Sequence, residues 1–425
     1  MRSGALARCI QVAEAKRQSA IQSLFLCLGL PRASFNRRLS PDYCWLMNSQ
    51  DVIVIGGGVI GLSIAYALAR EGVMATVLDR SELGREASWA GAGMIAPTAE
   101  RKTDNPSVEL RSLSARLYPE WSTALRDETG IDNGYRRTGG VDVAWTRDEE
   151  HALKVAAGKW REEGIAFERL SPTDFGRVEP ALNPALRVAY YLPDRAQIRN
   201  PRHLTALAAA VLKRGVNLQP GRAALGFEAL GERLIAVKTS EGPLACDWVV
   251  VAAGPWSEQL LEDLGLCVPT PPVKGQIVLL RFDRPRLTRI VEHGKNYLVP
   301  RDDGRVLVGA TEEEVGFDKR STPAAVRDLL DEALRLCPVL AEAEVEKSWA
   351  GLRPGSIDTR PYLGYARGYR NLIVATGHKR AGLQLAPASA EVIVDLVLGR
   401  PPSVDLTPFR IGREPEKIGE DAFRS

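Results

Sequence analysis

Gly56, Gly58 and Gly61 stand in the order G-x-G-x-x-G, and Asp79 follows eighteen residues after the last of them. In that spacing each residue type has a physical task. Gly56 permits a tight turn, Gly58 lets backbone approach a pyrophosphate, and Gly61 allows a helix to pack closely on a strand. The start of that helix presents free N–H groups and a partial positive charge to phosphate. A carboxylate at Asp79 accepts hydrogen bonds from an adenosine ribose and disfavours the 2′-phosphate of NADP.

The elements needed to place these residues are legible around them. Residues 51–55 (DVIVI) read as a buried parallel strand, and residues 62–70 (LSIAYALAR) carry helical spacing that closes at Gly72. Residues 73–78 (VMATVL) read as a second strand ending at Asp79. Strand, glycines, helix, strand and acid in that order are the context that makes the motif a dinucleotide site. The alternative is a Rossmann-like unit that binds no nucleotide.

Three further segments bear on which dinucleotide. Residues 84–97 are rich in small residues where an NAD enzyme would continue into another helix and strand. They suit backbone lying along an extended cofactor, with amides and Ser88 facing phosphate or flavin, or else form a plain glycine-rich loop. Residues 248–252 (WVVVA) form a strand ending in Ala253-Gly254-Pro255-Trp256-Ser257, where a ligand can cross the sheet. Residues 371–375 (NLIVA) lead through Thr376-Gly377-His378-Lys379-Arg380-Ala381-Gly382 into a helix expected over 387–398. Its N-terminal dipole suits the pyrimidine end of an isoalloxazine ring, where reduction places negative charge.

Composition limits the classes. The chain has 425 residues, 56 Lys+Arg against 53 Asp+Glu and a net charge of +3, which lacks the basic excess of a nucleic-acid binder. No apolar run reaches the roughly 18 residues of a membrane span. The charge is uneven: residues 1–46 hold seven basic side chains and two acids, so residues 47–425 carry a net −2. That basic segment is expected to be an upstream extension outside the fold, with an organelle transit peptide as the second reading and a signal core at residues 24–30 as the third. Met47 is the expected start. Three of the six cysteines (Cys9, Cys27, Cys44) fall in the extension. Cys246, Cys267 and Cys337 have no metal spacing and read as small buried hydrophobes of a reducing, cytoplasmic protein. The four histidines make no H-x-x-x-H pair, so no metal site is expected.

These blocks, with PVKGQ (272–276), YLVPRDDGRVLVGAT (297–311), SWAGLRPG (348–355), PYLG (361–364) and ATGHKRAGLQLAP (375–387), resemble the glycine oxidases of thiamine biosynthesis, in the D-amino-acid oxidase family. The resemblance runs in consistent order from residue 51 to about 400. It implies non-covalent FAD, held by the glycine motif, Val59, Ile60, Asp79, Arg80, Ala87, Ser88, Gly91, Ala92, Gly93, Met94, an adenine-side contact at Ala224, and His378, Lys379, Arg380, Ala381, Gly382, Leu383 and Gln384. It also implies that Arg353 holds the substrate carboxylate, Tyr297 hydrogen-bonds it, and Arg380 is a second substrate-facing arginine. The implied reaction is hydride transfer from a small amino acid to flavin N5, giving an imine that hydrolyses to the 2-oxo acid and ammonia, with oxygen reduced to hydrogen peroxide. No histidine base is required if the amine enters unprotonated. The resemblance further implies a homo-oligomer, by analogy a tetramer, with no membrane or nucleic-acid partner.

Without the resemblance, Arg353 reads equally as a surface ion pair and Tyr297 as core beside the Asp302-Asp303-Gly304 turn. One departure is notable: Lys295 occupies a position where the family often has histidine, two residues before the tyrosine, and brings a second cation to the pocket mouth. Two rival functions remain, a D-amino-acid dehydrogenase that passes electrons to a quinone and a non-catalytic nucleotide-binding module.

The expected architecture is α/β of a two-domain, α+β kind: a Rossmann-like FAD domain of the glutathione-reductase type with an inserted, mostly antiparallel sheet. Residues 47–130, 200–265 and 346–400 are assigned to the FAD domain and residues 131–199 and 266–345 to the inserted sheet, with 401–425 a tail.

Overall fold

The computed structural model describes residues 52–101 and 103–415, so the expectations for residues 1–46 and for the last ten residues of the tail lie outside the described residues. Two sheets carry the fold. The first has six strands in the order Tyr362–Tyr365, Leu372–Thr376, Trp248–Val251, Val52–Ile55, Ala75–Asp79 and Asn217–Pro220. All its pairings are parallel except the outermost, Tyr362–Tyr365 against Leu372–Thr376.

The central strand shows why both faces must be covered. Val52 and Val54 pack with helices Val59–Arg70, Pro106–Thr129, Asn200–Lys213 and Gly382–Val397, while Ile53 and Ile55 pack beneath a three-stranded sheet. All four of its residues are buried, each burial contributing about 1.5–3 kcal/mol. That double coverage explains the continuous β-branched run.

The second sheet has eight strands, from Glu344–Pro354 at one edge to Glu168–Leu170 at the other. Its pairings are antiparallel except Ile290–His293 with Gly140–Ala144. Alternation sorts its faces. Val278, Leu280, Leu298, Val306 and Val308 pack under helix Pro323–Leu336, whereas Ile277, Leu279, Val299 and Leu307 cluster with Ala92, Met94 and Tyr297. The strand Glu344–Pro354 belongs whole to this sheet and crosses the expected boundary at 345/346.

One element differs from expectation. The helix expected from Pro387 begins at Gly382, with Pro387 inside it. A proline at that position cannot donate to the Leu383 carbonyl four residues earlier. The Tyr118 hydroxyl donates to that carbonyl instead, so the helix continues through the proline.

Candidate active site

A cavity of about 560 Å³ lies between the carboxyl ends of the parallel strands and the inner face of the eight-stranded sheet. On the nucleotide side, Gly56 follows the central strand with φ of 111°, a conformation that favours glycine, and a Cβ there would overlap the Ala252 carbonyl. Any Cβ at Gly61 would overlap the Gly56 carbonyl, so loop and helix meet with no side chain between them. Asp79 closes the turn: its Oδ2 accepts from the Gly57 N–H at 2.8 Å and its Oδ1 from the Ser81 N–H at 2.9 Å. Ser88 Oγ accepts from the Val59 N–H at 2.9 Å, tying the small-residue segment to the helix start.

Two helix N-termini open on this cavity. Neither Val59–Arg70 nor Gly382–Val397 has a capping side chain or an acid in its first turn, and Val59, Ile60, Gly382, Leu383 and Gln384 all line the cavity. Apart from the Val59 N–H, which Ser88 Oγ takes, their first-turn N–H groups suit the phosphates at one and a charged ring edge at the other. Gln384 adds a buried amide nitrogen with no partner among the described residues, a donor awaiting an acceptor. At the adenosine end the Arg80 guanidinium lies 3.7 Å from the Trp256 ring centre, and Trp256 stacks on Phe317. The residues present therefore fit an extended dinucleotide.

The cavity brings together almost every residue expected from the sequence. Gly56, Gly58, Val59, Ile60, Asp79, Arg80, Ala87, Ser88, Gly91, Ala92, Gly93, Met94, Ala224, His378, Lys379, Arg380, Gly382, Leu383 and Gln384 line it, with Tyr297 and Arg353. Gly61 and Ala381 do not: Gly61 is the packing contact just described, and Ala381 is buried in the helical core.

Arg353 and Tyr297 are placed by strand register. Arg353 pairs with Val273 and Tyr297 with Gly309, on neighbouring strands. A methyl group at Gly275 would overlap the Arg353 guanidinium, and one at Gly309 would lie 2.5 Å from the Tyr297 hydroxyl. Each large side chain thus lies flat over a position where the next strand has none. Arg353 Nη1 donates to the Thr311 carbonyl at 3.1 Å, and no carboxylate among the described residues pairs with it. Burial lowers the Arg353 pKa, partly offset by Tyr297, and raises that of the Tyr297 hydroxyl, which Arg353 and Arg380 oppose. His378 is buried, donates to or accepts from Ser389 Oγ at 3.0 Å, and is pushed down to about 3 by burial, so it stays neutral. No cysteine among the described residues lines the cavity; Cys246 and Cys337 are buried as expected, but Cys267, in the loop after helix Ser257–Glu262, is exposed.

Several participants escaped the sequence reading, and only Arg301 among them stands in a block singled out there. Arg301 is buried and donates from Nη2 to the Ala92 carbonyl at 2.6 Å and from Nη1 to Ile198 at 3.1 Å; burial, with Arg199 nearby, lowers it to about 9. Asn200 Nδ2 donates to the Ser88 and Gly91 carbonyls at 2.9 and 2.7 Å. Both hold the small-residue segment from behind. Glu312, three residues past Gly309, binds Lys379 and Arg380 together.

The family model for FAD dependent oxidoreductases matches residues 51–396. The chain belongs to that family. Within this FAD-dependent oxidoreductase family, it is 39% identical over 367 residues to the glycine oxidase of Pseudomonas putida, covering 85% of this chain and 98% of that protein. It is 35% identical to the bifunctional protein ThiO/ThiG of Nostoc sp., covering 86% of this chain and 55% of that one. The crystal structure of glycine oxidase from Geobacillus kaustophilus superposes with a TM-score of 0.82 at 34% identity, over 86% of this chain and all of that one. The protein is an FAD-dependent enzyme of the Rossmann-like, sheet-roofed class that the sequence implied. No helix among the described residues is long and apolar enough to cross a membrane.

Proposed function

We propose that the protein oxidises glycine and other small amino acids to the 2-oxo acid, ammonia and hydrogen peroxide. The observation that carries this reading is the Arg353 guanidinium, free of any described carboxylate, beside Tyr297 in the same cavity as the nucleotide loop. A guanidinium binds a carboxylate bidentately and keeps its charge at any working pH. Tyr297, protonated because burial raises it, adds a neutral donor to that carboxylate. Arg380 lines the wall beside them. Arg353 and Tyr297 together fix the α-C–H and leave the amine free. Bound FAD would supply the hydride acceptor and the route for the electrons to oxygen. His378, lowered to about 3 by burial and with Nε2 engaged by Ser389 Oγ, is too weak a base to take a proton from a substrate ammonium, so the amine must enter unprotonated.

The residues that would hold FAD are those lining the nucleotide side of the cavity, with Asp79 toward the ribose and Ala224 toward the adenine. The imine or glyoxylate so formed suits thiazole assembly in thiamine biosynthesis, and the similarity to the bifunctional ThiO/ThiG protein supports that setting. We also propose a cytoplasmic homo-oligomer, with the nucleotide sheet and the eight-stranded sheet as separate domains. Anaerobic glycine should bleach the flavin absorbance of the purified protein, and air should restore it with about one peroxide per glycine consumed. An oxidised spectrum unchanged by glycine, sarcosine, D-alanine and D-proline would remove the reading.

A further inference from the structure

The charged groups on the cavity wall are not equally available. Arg80 is stacked on Trp256 and lies 3.6 Å from Glu86. Glu292 is paired with buried Arg195 at 3.1 Å. Lys379 Nζ lies 3.0 Å from Glu312 Oε1, and Arg380 Nη2 donates to Glu312 Oε2. Lys295 sits exposed in the turn after Ile290–His293, at the rim. Arg353 alone, among the cations that are not at the rim, faces the cavity with no described carboxylate against it.

Glu312 belongs to a short run in which three successive residues fix four cations between them. The Thr311 carbonyl accepts from Arg353, Glu312 takes Lys379 and Arg380, and Glu313 pairs with buried Lys274 at 2.8 Å. Backbone conformation on the other side supports the pairing. Lys379 has φ of 44°, a left-handed value uncommon outside glycine, and both it and its neighbour reach the same carboxylate. Burial works to raise Glu312, yet the hydrogen bonds from Lys379 and the charge of Arg380 hold it down at about 2, so it stays ionised.

Resting on the reading of this cavity as an amino-acid site, we propose that Glu312 is a positioning and specificity-determining residue: it engages Lys379 and Arg380, so that the pocket recognises one carboxylate, at Arg353, and disfavours substrates carrying a second anionic group. Two cations sharing one carboxylate still leave a net positive wall, but their donors are turned toward Glu312. A second carboxylate entering the pocket would have to displace it. A monocarboxylate such as glycine meets only Arg353 and Tyr297 and loses nothing.

The test is anaerobic single-turnover flavin reduction of the FAD-loaded protein with glycine and with iminodiacetate, a secondary amine with two carboxylates. In Glu312→Gln the ratio of iminodiacetate to glycine specificity should rise at least roughly tenfold, through the dissociation constant rather than the limiting rate of reduction. Glu312→Asp should keep the starting ratio, and Glu312→Gln combined with Arg380→Met should lose the gain. A ratio within twofold of the starting protein in Glu312→Gln, with an unaltered flavin spectrum, overturns the proposal. If that variant fails to hold flavin, titration of the unaltered protein with acetate and malonate by flavin absorbance decides: malonate binding more than tenfold tighter than acetate overturns it, and equal or weaker binding supports it. Those titrations need no turnover, so they separate failure of this proposal from failure of the oxidase reading.

Discussion

The two ends of the cavity are built by opposite means. At the nucleotide end the contacts come from backbone: a glycine turn, two uncapped helix starts and a carboxylate that braces the turn itself. At the substrate end they come from long side chains far apart in the chain: Arg353 and Tyr297, each laid over space that a neighbouring strand residue vacates, with Arg380 lining the wall beside them. Backbone sites tolerate side-chain replacement and fail when a Cβ is added. Side-chain sites fail when a charge is removed, and can be retuned by the residues around them.

That contrast sets the order of expected effects. Arg353→Ala should be the largest, costing about 2–4 kcal/mol in substrate binding while the protein keeps its flavin. Titration of glycine against flavin reduction checks it, and an unchanged affinity would take Arg353 out of the site. Gly56→Ala should do the reverse. Forcing a Cβ against the Ala252 carbonyl at positive φ costs about 1–3 kcal/mol, and FAD should be lost from the purified protein as read by absorbance. A Gly56→Ala protein that retains full flavin would show that the nucleotide end is less backbone-determined than argued here. Gly275→Ala is intermediate, because its added methyl meets the mobile end of Arg353 rather than backbone. Flavin should stay, and the Michaelis constant for glycine should rise roughly tenfold, about 1.4 kcal/mol.

The smallest effect near neutral pH separates the two halves by sign. His203 and His378, both in the nucleotide half, are held neutral by burial at about 3, below the ordinary 6.5. Between those values the unfolded chain binds more protons, so each removes about 1.4 kcal/mol of stability per pH unit as pH falls below 6.5. His293, on the eight-stranded sheet, is raised by its hydrogen bond to Glu332, 2.6 Å away, with Glu149 adding to it. Its contribution is full below 6.5 and is lost as pH rises through the folded value. Hydrogen exchange between pH 5 and 8 should show the nucleotide sheet loosening toward acid and the segment around His293 loosening toward base. Parallel behaviour in both would contradict the assignment.

The same contrast explains what could be read from the sequence. The nucleotide end is contiguous: residues 51–79 contain the strand, turn, helix and acid, and local rules suffice to place them. At the substrate end the residue types were legible only through resemblance. The reason Gly275 and Gly309 must be small lies in strand register, which no local pattern contains. Glu312 was invisible as a partner because Arg380 lies 68 positions away. The helix at Gly382 was placed late because Pro387 ordinarily marks a first turn, and only Tyr118, from another helix, supplies the donor that lets it sit inside.

The central strand has a consequence for how the molecule is made. Val52–Ile55 is flanked by Ala75–Asp79 and by Trp248–Val251, and the latter in turn awaits Leu372–Thr376. On a ribosome the first of these neighbours arrives within seconds, at about 5–20 residues per second, and the others only when some 200 and then 320 more residues have followed. For most of synthesis the glycine turn therefore sits beside an open sheet edge, with apolar faces that nothing yet covers. The nucleotide cavity is whole only once Leu372–Thr376 has joined Trp248–Val251, so the glycine turn waits through the synthesis of every intervening element before the cofactor has a complete site to enter.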